Sequence, residues 1–384
     1  MDKIVMLKGT DKVRKRVCVV FGAKGNEGAT NAIKMLLDIF ITEAKLGFSR
    51  GIDLKIHKDN SVSIRSYDDG FILDETIDEG KPIFEKVFCE LYAEDRYIDD
   101  YYGFLGEKHN RLYGRNDTDL SFKTEKDHQH NLCCVQYASR FMRVEATRDG
   151  IKKFVEFKDG CLANEMRKEN FQEESNTFIH FQLEDEVFEE KVAVFTKDIE
   201  DYLKCAAIAI PNLKCKIQDE RCNNEVVYQY QNGAKDYVLE KIKSPFELFI
   251  NESTATGKDG YNQVEYDAKA KILICFSGNS GDVLCLHNCK RLEYGGSHLN
   301  AIKEKIALII SQEFKVELSV DDIKDKVFIV VETTCDENAT KYENATKKSI
   351  RNKMITDMCS DLISNDFEFF LKQNHDKILA LLKI

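Results

Sequence analysis

No apolar run in the 384-residue chain approaches the ~18 residues that a membrane-spanning helix requires. Nothing like a signal-peptide h-region stands at the N-terminus. The chain therefore reads as cytoplasmic, with no membrane partner. Proline is scarce, three in 384 residues, so no proline-rich linker marks a domain boundary, and no repeat or low-complexity tract does either. Net positive charge is also missing. A formal charge of −11 excludes a surface that coats nucleic acid generally, though it leaves room for a local basic lining. Lys341, Lys347, Lys348, Arg351 and Lys353 cluster late in the chain, and a solvated helix face is the default reading of such a run. Metal-binding spacing is weak. Cys285-Leu-His-Asn-Cys289 lacks a second ligand pair at finger-like distance, and His128-Gln-His130 reads as a solvated loop. The 13 cysteines are scattered, and adjacent Cys133-Cys134 is poor disulfide geometry, so reduced and mostly buried thiols are expected.

What is present is ordinary globular composition, 43% apolar and 10% aromatic, with length for two domains. One stretch organises the rest. From Ala29 to Leu46, apolar residues at 29, 33, 36, 37, 40, 41 and 44 make one broad stripe at period 3.6. Thr30 or Asn26 can cap this helix, and Gly47 sits where a left-handed C-terminal cap is wanted. A hairpin follows over Ile52 to Arg65, Leu54 and Ile56 answering Val62 and Ile64 across a turn at Lys58-Asp59-Asn60.

Before that unit, Leu7 to Arg16 reads as a short helix and Val17 to Phe21 as a strand or an extended entry to the glycines at 22, 25 and 28. After it come a helix over Lys81 to Tyr92, a long loop from Ala93 to Gln129, and a helix-like stretch from Asn131 to Phe141. A strand pair at Arg143–Ala146 and Lys152–Phe157, a strand at Thr177–Leu183, and a helix over Val192–Leu203 follow. A hairpin is expected from Ile208–Asp219 and Glu225–Tyr230. Near Gln231-Asn-Gly233 the register changes, which divides the chain into domains 1–232 and 233–384. The second has Ala234–Ile242 first, strands at Asn262–Asp267, Ile272–Ser277, Val283–His287 and Val327–Glu332, a helix over Ser297–Glu313, and two closing helices, Ala345–Ile363 and Phe367–Leu382.

The helix-hairpin unit resembles the nucleotide-binding core of the gyrase B subunit, within the GHKL (Bergerat-fold) ATPases. The residues that carry the resemblance are Leu7-Lys-Gly-Thr-Asp-Lys-Val-Arg-Lys-Arg16, Gly22, Gly28, Glu43-Ala-Lys-Leu-Gly47 and Ile56-His-Lys-Asp-Asn-Ser-Val-Ser63. Tyr294-Gly-Gly-Ser-His-Leu299 and Lys341-Tyr-Glu-Asn-Ala-Thr-Lys347 extend it to the end of the family's transducer domain. The resemblance implies an α+β protein: a GHKL α/β sandwich followed by a β-α-β transducer domain, without the Toprim and DNA-gate parts of a full topoisomerase subunit. In the family an N-terminal arm gates dimerisation. Only Met1 to Met6 precede Leu7 here, a span of at most about 20 Å, so a homodimer, if formed, is expected not to be gated by nucleotide.

The resemblance also assigns a site, and the residues depart from it. In the family a glutamate on the opening helix is the general base and an asparagine one turn later holds magnesium. Those positions carry Met35 and Ile39, and neither a thioether nor a hydrocarbon can do that work. Loss of a general base alone costs ~10²–10⁴ in rate. Asp38 matches an acidic scaffold residue of the family and lies near enough to be considered as a substitute. The adenine-binding aspartate falls at Ser66 in one alignment of Ser66-Tyr-Asp-Asp-Gly70 and at Asp68 after a two-residue slip. The stretch matching the phosphate-cradling lid, His128-Gln-His-Asn-Leu-Cys-Cys134, has no glycine to let backbone approach a triphosphate. Thr177 matches the family's adenine-side threonine and Lys347 its γ-phosphate lysine.

These residues imply a vestigial nucleotide site of Thr177, Lys347 and Asp68, with Asp38, Ile39 and Ser66 around it. No catalytic residue and no metal ligand is assigned, and no cofactor is expected, ATP and Mg entering only if the site is active. The expected function is that of a pseudo-ATPase serving as an interaction module for a topoisomerase partner chain or DNA. The alternatives are a divergent ATP-hydrolysing subunit of a type II DNA topoisomerase, and a sensor of another small ligand against the apolar wall of Met35 and Ile39.

Overall fold

The computed structural model describes residues 9–74, 76–77, 80–91, 132–242, 247–259, 262–278, 281–344 and 346–383. The loop expected over Ala93–Gln129 and the lid residues His128 to Asn131 lie outside them. The described residues form two units, one of residues 9–207 and 212–229, the other of 208–211 and 230 onward.

The first unit is built on β1 (Gly51–Ile56), β2 (Val62–Ser66), β5 (Ser139–Arg148), β6 (Ile151–Lys158), β7 (Cys161–Leu162), β8 (Arg167–Asn170), β9 (Asn176–Leu183), β10 (Lys214–Asp219) and β11 (Asn224–Tyr228). These nine strands form one sheet in the order β11-β10-β1-β2-β9-β5-β6-β7, with β8 also on β6; β3 (Thr76–Ile77) and β4 (Lys81–Pro82) pair separately. The expected hairpin is β1–β2, with Leu54 opposite Ile64 and Ile56 opposite Val62. Asn60 turns it at φ 63.

The helices of this unit are α1 (Thr10–Arg14), α2 (Val17–Phe21), α3 (Gly25–Lys45), α4 (Ile83–Cys89), α5 (Leu132–Tyr137), α6 (Asp185–Phe188) and α7 (Thr196–Ala209). The seven apolar positions of the α3 stripe are all buried, and Gly47 takes the left-handed conformation at φ 83. α3 starts at Gly25 rather than Ala29, and neither Asn26 nor Thr30 caps it. Instead the Glu190 carboxylate accepts the Asn26 amide, and Thr30 Oγ1 donates back to the Asn26 carbonyl at 2.8 Å. Val17–Phe21 is helix, not strand. Valine-rich sequence favours a strand locally, but here Val17 and Phe21 bury on one helical side while Val19 is 80% exposed. Phe21 packs on Phe188, ring centroids 5.5 Å apart.

Other boundaries move as well. The helix placed at Lys81–Tyr92 is α4 alone, after β4. The one placed at Asn131–Phe141 ends at Tyr137, because Ser139 opens β5. α7 starts four residues later than Val192, since Val192 and Val194 are buried in extended chain. It runs to Ala209, past the point where Ile208 was expected to open a strand; Asn212 then turns at φ 67 into β10.

The second unit carries a five-stranded sheet in the order β12-β13-β17-β14-β15, from β12 (Phe249–Asp259), β13 (Asn262–Phe276), β14 (Val283–His287), β15 (Lys290–Arg291) and β17 (Val327–Cys335). β16 (Gly295–Gly296) pairs with β18 (Ser349–Ile350). Its helices are α8 (Ala234–Lys241), α9 (Ser297–Phe314), α10 (Val320–Ile323), α11 (Lys353–Leu362), α12 (Asn365–Gln373) and α13 (His375–Leu382). β14 and β17 run parallel with α9 between them in the chain, the expected β-α-β unit. Ile272, Ile274, Ile302, Ile306, Ile355 and Phe367 share one core under the sheet.

Four expectations fail here. The two strands placed at Asn262 and Ile272 are one continuous strand, β13. Its partner β12 went unread because Asn251 to Lys258 offers no apolar alternation. The two closing helices are three, broken at Ile363–Ser364 and again at Asn374, and Ser349–Ile350 is strand. Of the late basic cluster only Lys353 lies in a helix.

Candidate functional site

Helical spacing sets Met35, Ile39 and Glu43 one turn apart on the same side of α3. Ile39 and Glu43 are buried, at 5% and 6% exposure, and Met35 is half-buried. Asp38 flanks this row. Its carboxylate accepts the Tyr202 hydroxyl from α7, and Lys34 on the same flank lies 4.0 Å from Asp198 of α7. Asp38 is therefore engaged on the α7 side of the helix.

The hairpin supplies the opposing residues. β2 ends at Ser66, directly across from Thr177 of β9. The chain then turns through Asp68-Asp69-Gly70. Gly70 has φ +79, and a Cβ on it would sit 2.4 Å from the Thr147 carbonyl oxygen, so the turn admits only glycine. Asp68 Oδ1 accepts the Gly70 amide at 2.9 Å and the Thr177 hydroxyl at 2.8 Å. Thr177 Oγ1 in turn accepts the Phe71 amide at 3.1 Å. Ser66 Oγ lies 2.9 Å from Ser49 Oγ. The geometry thus brings Asp68 and Thr177 together, with Ser66 beside them.

Among the described residues Glu43 Oε2 and Asp68 Oδ2 have no hydrogen-bond partner. Burial pushes the Glu43 carboxyl up to about 8, with the charges of Asp68 and Asp69 adding to it. Burial also raises Asp68, to about 6, against the pull of its hydrogen bonds from Gly70, Thr177 and Ser66. Phe71, just past the turn, is buried and stacks on Phe40 of α3 with centroids 5.7 Å apart. Sequence reasoning missed Glu43 and Phe71 as site residues. The signal for Glu43 was its place one turn after Ile39, inside the apolar stripe.

Lys347 lies in the second unit, in a turn at φ 56. Its Nζ bonds Glu337 Oε1 at 2.6 Å and sits 5.0 Å from the centre of the Tyr342 ring. Burial pushes Glu337 up, but the Lys347 hydrogen bond and charge outweigh it and hold the carboxyl at about 2. Leu132, Cys133 and Cys134, the described end of the lid stretch, are buried in α5.

The donor set does not fit magnesium at the expected place, where Ile39 is a hydrocarbon in the core. Among the described residues no group of three or more His, Cys, Asp or Glu side chains is placed to hold a metal ion. Cys285 approaches His298 Nε2 at 3.1 Å instead, and all 13 cysteines are free thiols. No described helix is long and apolar enough to cross a membrane.

A strand-and-helix layer with an opening helix over the hairpin, followed by a β-α-β unit, is the α+β architecture of GHKL ATPase domains. The family model of DNA gyrase B matches residues 233–384. Along its whole length the chain is 23% identical to the B subunit of the type 2 topoisomerase of Aquifex aeolicus, and equally to the B subunit of DNA topoisomerase 4 of Staphylococcus aureus. It covers 46% and 56% of them, so it spans about half the length of these curated relatives. The solved 43K ATPase domain of Thermus thermophilus gyrase B, in complex with an aminocoumarin, superposes with a TM-score of 0.71 at 19% identity, over 98% of this chain and 93% of that one. The chain is thus similar throughout to the ATPase–transducer region of gyrase B and topoisomerase IV B subunits, and has its fold.

Proposed function

We propose that this chain is a gyrase-B-like module whose pocket does not hydrolyse ATP, divided functionally at 232/233 into an ATPase-like and a transducer-like part. It acts as an interaction module for a topoisomerase partner or for DNA. One observation carries the reading: α3 presents Met35 and buried Ile39 where the resembled family has its general base and its magnesium ligand. Without a proton acceptor and a metal, γ-phosphate hydrolysis loses both the activation of water and the neutralisation of the phosphates. The engagement of Asp38 by Tyr202 argues against that carboxylate as a replacement base. Phosphate release from magnesium-ATP, with and without DNA, tests this; release above a protein-free blank would overturn it.

A second reading, binding without turnover, is favoured by Asp68. Its buried Oδ2 lacks a donor while Oδ1 is held by Thr177. In this reading Asp68, rather than Ser66, is the position that receives the exocyclic amine of a nucleobase, and Thr177 orients it. Calorimetric titration with ADP, without magnesium, separates the readings: heat that vanishes in Asp68→Ala supports retained binding.

A further inference from the structure

We infer that the outer edge of β12 pairs with β12 of a second copy of this chain, joining two second units into one continuous sheet. This rests on the second unit alone and holds whether or not the first binds nucleotide. Edge strands expose unpaired backbone groups, and proteins keep such edges short or blunt them. Here the other described edges of the two large sheets are short. β11 has 5 residues, β15 and β7 have 2 each, and β8 has 4. β12 has 11, contains no proline, and among the described residues pairs on one side only, with β13. Its one irregularity lies at its end, between Gly257 and Asp259.

The side chains select the occupant. Antiparallel self-pairing with Ala255 opposite Ala255 sets Glu252 opposite Lys258 of the second copy, twice by symmetry. It also sets Thr254 opposite Thr256 and Ser253 opposite Gly257. From Glu252 to Lys258 each pair is of opposite charge, of threonines or of small residues, combinations compatible with neighbouring strands. Glu252, Thr254, Thr256 and Lys258 all lie on the exposed face, and among the described residues Lys258 makes no ion pair. On the other face a groove of about 580 Å³ runs beside Ala255 and Gly257, walled by Met354, Asp357 and Met358 of α11. On the partner copy the residues of this face are the small Ser253, Ala255 and Gly257.

Sedimentation of the full chain over a concentration series tests this. A reversible dimer is expected, weakened about tenfold by either Glu252→Lys or Lys258→Glu and restored when both are combined. Thermal melts check that each variant folds. Independently, Ala255→Cys should form an intermolecular disulfide under mild oxidation beyond the wild-type background, because directly opposed antiparallel residues have Cα atoms ~4.5–5.5 Å apart. A chain that stays monomeric, a dimer indifferent to the single reversals, or an edge that takes up an extended segment of a different protein instead would overturn the proposal.

Discussion

Thr177 donates its hydroxyl hydrogen to Asp68 Oδ1 at 2.8 Å while accepting the Phe71 amide, so one side chain on β9 fixes both ends of the Asp68-Asp69-Gly70 turn. That fixation leaves Asp68 Oδ2 buried and without a donor, facing the same problem as Glu43 Oε2. The first unit therefore holds two buried acids with unmet hydrogen-bonding capacity.

Stability should respond to the protonation of Glu43. Its pKa in the folded chain, about 8, lies above the ordinary 4.5, so the folded state holds more protons between these values. The contribution is fully present below about pH 4.5 and is lost as pH rises towards 8. Glu43→Gln, uncharged at any pH, should gain ~2–4 kcal/mol relative to wild type between pH 5 and 8.5. Thermal melts across that range measure it; a constant difference would show that Glu43 ionises in the fold as readily as in the unfolded chain.

Purified protein should release no more phosphate from magnesium-ATP than a blank. Ordinary enzyme turnover, ~1 s⁻¹ or more, would show that some other group activates water.

Restoring the family's residues by Met35→Glu with Ile39→Asn should destabilise the first unit without creating activity. Ile39 is 5% exposed, and each polar group left unpaired there costs ~1–3 kcal/mol. Urea denaturation alongside a phosphate assay decides it, and an active double variant with unchanged midpoint would contradict the expectation.

Lys347→Ala should cost ~0.5–1 kcal/mol at pH 7, a value kept low because the Lys347 side chain is 60% exposed. Glu337 has its pKa depressed to about 2, so the ion pair stabilises above about pH 4.5 and fades as pH falls through 2. Denaturation midpoints of variant and wild type should approach each other below pH 4.5 and converge only below about pH 2. A gap that persists there would assign the loss to packing against Tyr342.

The sequence by itself determined the elements whose partners are local or strongly periodic. The α3 stripe, the β1–β2 hairpin and α9 were legible because helix faces and strand alternation are written at fixed spacings. The resemblance, too, rests on short stretches of residues read in order. Tertiary structure decided what depends on distant chain. Val17–Phe21 became helix because Phe188, 167 positions later, covers one side of it. The polar β12 became a strand because β13 supplies its hydrogen bonds. Asp68 and Thr177, 109 residues apart, met only because β2 and β9 are neighbours in the sheet. The charge state of Glu43 depends on desolvation and on two acids brought near by a turn, and no spacing in the sequence encodes either.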